Sequence, residues 1–418
     1  MKLNYKKTIF IGMAFLGISA FWQVYDVIIP LILENTFDLD KTVTGVVMSL
    51  DNVLALFLLP LFGTLSDKVN TKIGKRTPFI LFGTIIAIIG IFIIPYANNN
   101  KEFILFNVGL AIVLFGTAVY RAPAVALMPD LTQKPLRSRA NAIINLMGAV
   151  GAVLALLSIR ILVPKSDSPD YTALFLSIGA IMLISFIILK LNINENKMRV
   201  YEVEEEVVVT YERTKLPKDV FKSLVLLLAS IFFWFAAYNG ITTAFSRYAI
   251  AMWDMNEGDV AMSLMVATVV AIVSYIPAGM IASKFGRKKT IIIGIVFVTT
   301  TYIMGTILKD FSFLIYIAFA IMGIGWAFIN VNSFPMVVEM SQSGDVGKYT
   351  GTYYTASMSA QILTPILSGF LMDQFGFKIL FPYAFVFSIL SFITMSMVKH
   401  GDSKGEMGDN LEVFNIED

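Results

Sequence analysis

The chain has 418 residues, 57% of them hydrophobic and 15% charged, with a net charge of +2. Soluble domains carry about a quarter charged residues, so the excess apolar surface calls for lipid, and so balanced a charge gives no electrostatic case for nucleic acid. Cysteine is absent and His400 is the one histidine, which excludes disulfides, thiol catalysis, Cys- or His-built metal sites and imidazole acid–base chemistry within the membrane.

Lys2, Lys6 and Lys7 precede an apolar run from Thr8 to about Leu33. That run is too long for a secretory signal core and lacks a small-residue cleavage site, so it reads as a first membrane helix. A spanning helix takes about 20 mostly apolar residues. Such stretches lie at 8–33, 43–66, 78–97, 103–127, 140–163 and 172–191, then at 222–250, 258–282, 290–308, 312–337, 350–372 and 379–398. With the N-terminus inside, 24 of the 32 Lys and Arg fall in inner segments. That bias places both termini on the cytoplasmic side of a cell (inner) membrane. The expected fold is an all-α membrane protein of twelve transmembrane helices in two pseudo-symmetric six-helix halves, 1–192 and 222–399. A polar cytoplasmic linker at 193–221, with Glu202, Glu204, Glu205 and Glu206, joins them, and a polar cytoplasmic tail follows at 400–418.

The halves carry matched loops. After the second span stand Gly63, Ser66, Asp67 and Lys68, then Gly74, Lys75 and Arg76; after the eighth stand Gly279, Ser283 and Lys284, then Gly286, Arg287 and Lys288. A second pair is closer still. Asp130 precedes Arg139, and Glu339 precedes Lys348, by the same nine residues, and the two copies are offset by 209, half the chain. A duplicated six-helix unit accounts for both. Gly63 and Gly279 are expected to let helices approach closely. The acids and bases at these loops are expected to pair at the cytoplasmic face, closing an inner gate in one state and parting in another. Ser283 stands where the first copy has Asp67, which predicts a weaker second contact.

These loops resemble the signature of the major facilitator superfamily. Within it, the run from Pro60 through Gly63, Asp67 and Lys68 to Gly74, Lys75, Arg76, Pro78 and Phe79 is similar to that of the sucrose–proton symporters. Pro123, Ala126, Leu127, Asp130, Arg139, Ala140, Asn141 and Ala142 carry the same likeness. A more distant resemblance is to the glycoside–pentoside–hexuronide cation symporters. The resemblance implies symport of a sugar or glycoside, such as sucrose or maltose, with a cation, H+ above others. This sequence departs from it in two places. The fourth-span carboxylate that the family would assign to proton coupling falls at Leu114, and the second-span carboxylates of sodium-coupled relatives fall at Ala55 and Leu59.

Charges within spans are costly and face cavities or partners. Asp26, Asp51 and Arg121 are the candidates for proton coupling. At about 1.5 Å per residue, Asp26 lies about 9 Å outside the middle of its span and Arg121 about 9 Å inside the middle of its own. A simple ion pair between them is not expected unless a helix breaks, and Pro30 and Pro123 make distortion possible. Sugar recognition needs amides and carboxylates for hydroxyls and aromatic faces for C–H surfaces. Trp22, Gln23, Asp26, Asn52, Asn145, Trp234, Tyr238, Asn239, Trp326, Asn330 and Gln361 are the candidates, drawn from both halves. Trp22, Trp234 and Trp326 sit near mid-span, away from the interfacial belt where Trp concentrates. No nucleophile–base set, metal cluster or phosphate-binding glycine loop occurs, so neither an enzyme nor a nucleotide-driven pump is expected. No cofactor is expected, and the partners are the small-molecule substrate, the coupling cation and the bilayer. The chain reads as a monomeric secondary active transporter. Export of an amphipathic compound and uncoupled sugar facilitation are the alternatives.

Overall fold

The computed structural model describes residues 3–133, 136–166, 168–198, 217–340 and 346–402. Among these it contains twelve helices of at least 18 residues and no strand beyond an isolated bridge between Thr71 and Gly74. The long helices are α1 (Tyr5–Asn35), α2 (Lys41–Lys68), α3 (Thr77–Asn99), α4 (Phe103–Leu131), α5 (Arg137–Leu162) and α6 (Thr172–Asn192). After a short α7 (Glu195–Met198) come α8 (Lys218–Trp253), α9 (Glu257–Phe285), α10 (Arg287–Ile307), α11 (Phe313–Glu339), α12 (Val346–Phe375) and α13 (Leu380–Met397). Eleven of the twelve are long and apolar enough to cross a membrane. The other, α12, has 30 residues and is diluted by Ser, Thr and Tyr.

The chain divides into two compact units. The first comprises 1–39, 50–204 and 256–262, and the second 40–49, 205–255 and 263–418. In the first unit α1 packs on α5 and α6, and α3 packs on α4 and α6. In the second unit α8 packs on α12 and α13, and α10 packs on α11 and α13. The pairing is the same helix for helix, so the duplication read from the loops is also a duplication of packing.

Small residues set the closest approaches. A Cβ on Gly83 of α3 would lie 2.6 Å from the Gly116 carbonyl oxygen of α4, and one on Gly116 would lie 2.5 Å from the Ala87 nitrogen. In the second unit, Gly294 of α10 and Gly325 of α11 oppose each other at 2.7 Å in both directions. The expectation placed on Gly63 and Gly279 is corrected here. A Cβ on Gly63 would have Ala122 Cβ as its nearest neighbour at 3.9 Å, and one on Gly279 would meet nothing within 4 Å among the described residues. Neither makes the close helix approach expected of it: the contact at Gly63 is an ordinary one that an alanine would also allow, and among the described residues Gly279 faces open space.

In α1, 78% of the most apolar window is buried, against 22% in α2 and 17% in α9. A helix buried on every side must be apolar all round, and α1 is, apart from the polar residues described next. Large apolar side chains such as Phe57, Ile104 and Leu191 stand exposed, as lipid-facing positions require.

Candidate functional site

Two groups of polar side chains stand out: one within the helices and one at the loops that end α2 and α9. The first unit holds Trp22, Tyr25, Asp26, Asp51, Asn52 and Arg121. Trp22 and Asp26 are one turn apart on α1, with Tyr25 between them packed edge-on to Trp22 at 5.3 Å. The Arg121 guanidinium of α4 lies 5.9 Å from the Trp22 ring centre, within cation–π range. Asn52 donates to the Asp51 carboxylate at 2.8 Å. The Asp51 carboxylate lies within electrostatic reach of Asp26 and of Arg121. Arg121 therefore stands beside Trp22, with Asp51 as a counter-charge. Separation along the helices, read from the sequence, did not reveal this convergence, because it depends on how α1, α2 and α4 tilt. Tyr25, 1% exposed, was missed by sequence reading; its one signal was its place between Trp22 and Asp26. The Trp22 indole nitrogen is buried without a hydrogen-bond partner among the described residues. Gln23 is half-buried and Asn145 is exposed on α5.

The second unit brings together a different set. Tyr238 of α8 stacks on Trp326 of α11 with ring centres 3.7 Å apart and planes 11° from parallel. Phe235 meets the same indole edge-on at 5.5 Å. Tyr275 of α9, which the sequence does not single out, lies close to the Asn330 side chain of α11. Trp234 is 2% exposed, and its indole N–H and the Asn239 amide nitrogen are buried without partners among the described residues. The Asn239 backbone carbonyl accepts from the Thr243 hydroxyl at 2.6 Å. Gln361 is half-buried on α12. Unsatisfied buried donors are uncommon in folded proteins, and a ligand rich in acceptors would satisfy them.

The loop after α2 forms a dense charge cluster. The Arg76 guanidinium donates to Asp67, to Ser66, to Asp130 at 2.9 Å and to the Gly63 carbonyl at 3.3 Å. Lys75 Nζ lies 3.2 Å from Asp130 and 3.7 Å from Asp67. Among the described residues Lys68 takes part in no ion pair. The second copy has contacts of its own among the described residues. Ser283 turns its hydroxyl onto the Gly279 carbonyl at 3.0 Å, Arg287 pairs with Glu339, and Lys284 sits 5.3 Å over the Phe285 ring. Arg139 and Lys348 lie in α5 and α12, with side chains outside the described residues, as are the acidic cluster at 202–206 and the tail beyond 402.

At the other end of α2, Asp373 accepts from the backbone N–H of Lys41 at 3.0 Å and of Thr42 at 2.8 Å, and from the Thr42 hydroxyl. Burial pushes this carboxyl up, but the Thr42 and Lys41 donors and the Lys41 ammonium outweigh it and hold the group below the usual aspartate value.

Among the described residues no group of three or more Asp, Glu or His could hold a metal ion. The profile of the Major Facilitator Superfamily matches residues 9–271 and 252–412, nearly the whole chain. The sequence is similar to the sucrose transport protein SUC3 of Arabidopsis thaliana, 29% identical over 121 residues, covering 24% of this chain and 20% of that protein. It is also similar to a probable nitrate transporter, NarT, of Staphylococcus epidermidis, 27% identical over 198 residues, covering 47% of this chain and 48% of that protein. The chain thus matches about half or less of the length of these curated relatives. Among solved structures, a peptide transporter POT aligns with a TM-score of 0.73 at 13% identity, covering 93% of both chains. The nucleoside transporter NupG aligns with a TM-score of 0.68 at 15% identity, covering 95% of this chain and all of that one. At such identities these likenesses concern the fold, while the family match spans the sequence. The chain belongs to the Major Facilitator Superfamily and is a multi-pass membrane transporter.

Proposed function

We propose that this transporter takes up a sugar or glycoside, of the size of sucrose or maltose, together with a proton, by alternating access. It works as a monomer in the cell membrane with both termini in the cytoplasm. The observation that carries this reading is the cluster of Asp26, Asp51, Asn52, Trp22 and Arg121 in the first unit. It supplies carboxylates that can exchange a proton, an amide that can bind hydroxyls, and an indole face for a sugar ring. Arg121 already has Asp51 as a counter-charge, so this cluster suits a neutral substrate better than an anion. The sucrose transport proteins among the relatives support the substrate class. In the second unit the Tyr238–Trp326 stack, Trp234, Asn239 and Asn330 offer the same mixture of flat apolar surface and hydrogen-bonding groups.

The coupling carboxylate is Asp26, with Asp51 beside it, in place of the group that Leu114 replaces. The charge cluster after α2 is the cytoplasmic gate. It holds that face closed in one state, and its ion pairs part in the other. Reconstituted in liposomes with an imposed inward proton gradient, the protein should concentrate labelled sucrose, maltose or another glycoside, and a protonophore should collapse the accumulation. Equilibration without accumulation would make it a facilitator. Efflux driven by the opposite gradient would make it an exporter.

A further inference from the structure

α3 begins without a capping side chain of its own. Its first turn is closed instead by Glu195, on α7, about 120 residues further along the chain. One carboxylate oxygen of Glu195 accepts from the backbone N–H of Lys75 at 2.8 Å and of Arg76 at 2.9 Å. The other accepts from the Thr77 N–H at 2.9 Å and the Thr77 hydroxyl at 2.8 Å. Glu195 is 2% exposed. Gly74, at φ +118°, is what admits it: a Cβ there would collide with the carboxylate. Arg76 is thus held at both ends, its backbone on Glu195 and its guanidinium on Asp67, Asp130, Ser66 and the Gly63 carbonyl.

The second repeat is built the same way. α10 starts without a side-chain cap after Gly286, at φ +96°. The Lys288 N–H donates to Asp402 at 2.9 Å, and a Cβ on Gly286 would lie 2.8 Å from the same carboxylate. Asp402 follows α13 as Glu195 follows α6, and Arg287 pairs with Glu339 of α11 as Lys75 does with Asp130 of α4. An arrangement that recurs in both copies, with acid, glycine and paired base in matching places, belongs to the architecture of the repeat.

We infer that Glu195 is a positioning residue of the charge cluster, fixing the Arg76 backbone so that its guanidinium bridges Asp67 and Asp130, and that Asp402 holds the first turn of α10 in the corresponding way. The segments that leave α6 and α13 thereby set the geometry of the gate loops. The inference rests on reading that cluster as a gate, and the competing role is a helix cap that steadies α3 alone. All four groups on Glu195 are donors, so a glutamine must turn its own NH2 toward at least one of them.

The test is hydrogen exchange by mass spectrometry on the full chain in lipid nanodiscs, which needs no transport substrate. In E195Q, exchange should rise about tenfold at residues 74–80, where the bonds are lost, and also at 62–68, the last turn of α2 that Arg76 grips. R76A should raise exchange at 62–68, and adding E195Q to it should raise that segment no further. E195D, which keeps the charge, should fall between wild type and E195Q. If E195Q fails to fold, E195D decides by the same criterion. Faster exchange at 74–80 with 62–68 unchanged, while R76A opens 62–68, would reduce Glu195 to a cap and overturn the inference. So would an R76A protein whose 62–68 segment exchanges as in wild type. The gate reading fails separately, if D67A and R76A both transport at the wild-type rate.

Discussion

Asp26 has only uncharged neighbours along α1, and it acquires meaning from α2, which brings Asp51 within electrostatic reach of it, and from α4, which brings Arg121 to Asp51 and Trp22. If Asp26 carries the proton, D26N should abolish uphill accumulation while leaving exchange of labelled for unlabelled sugar across the membrane, since exchange needs no net proton movement. Accumulation at the wild-type level would remove Asp26 from the coupling step. At the cluster after α2, Asp130 receives both Arg76 and Lys75 and is 20% exposed, whereas Asp67 is 57% exposed. Partners on a drier carboxylate count for more. D130N should therefore slow the transport cycle more than D67A and cost roughly 1–3 kcal/mol of stability, with substrate affinity changed less than turnover in both. A larger effect of D67A would contradict this order. The spacing of the motif made Asp67, Lys75, Arg76 and Asp130 legible in the sequence. Glu195 was not, because it lies in what reads as a polar linker and meets its partners from about 120 residues away. Tyr25 and Tyr275 were invisible for a related reason, as a tyrosine in an apolar helix looks the same whether it packs or binds.

Helix identity and order were legible because runs of about 20 apolar residues bounded by charge leave few other options. Which glycines matter was not. A motif glycine such as Gly279 looks like a contact residue, but contact depends on what the neighbouring helix presents, and there nothing is within 4 Å. G279A should be tolerated or stabilise α9 by up to about 1 kcal/mol through helix propensity. G116L should abolish folding, because even its Cβ would sit 2.5 Å from backbone on α3; expression and melting temperature in detergent check both. The start of α2 offers a pH test. The Asp373 carboxyl is held below its ordinary value, so its stabilising contribution is complete above the unfolded aspartate pKa of about 3.9 and disappears as pH falls through the lower folded value. D373N should melt below wild type at neutral pH, by about 1 kcal/mol, and the gap should close in strong acid. A gap that persists at pH 2 would mean that the carboxylate charge is not what caps α2.

At the scale of the whole chain, the duplication appears first as an offset of 209 residues between loop motifs, then as the same set of helix pairings, and then as the same acid–glycine junction before α3 and α10. Composition alone required lipid, and the loops alone pointed to the superfamily, which the match over nearly the whole chain establishes. Substrate and coupling ion depend instead on a few side chains whose convergence no helical periodicity encodes. The central claim is that sugar and proton enter together. In a lightly buffered, de-energised suspension of expressing cells, addition of sucrose, maltose or another glycoside should make the external medium alkaline for at least one of them, and D26N cells should show no such change. A labelled sugar that equilibrates faster in expressing cells than in controls while external pH stays flat would contradict proton symport.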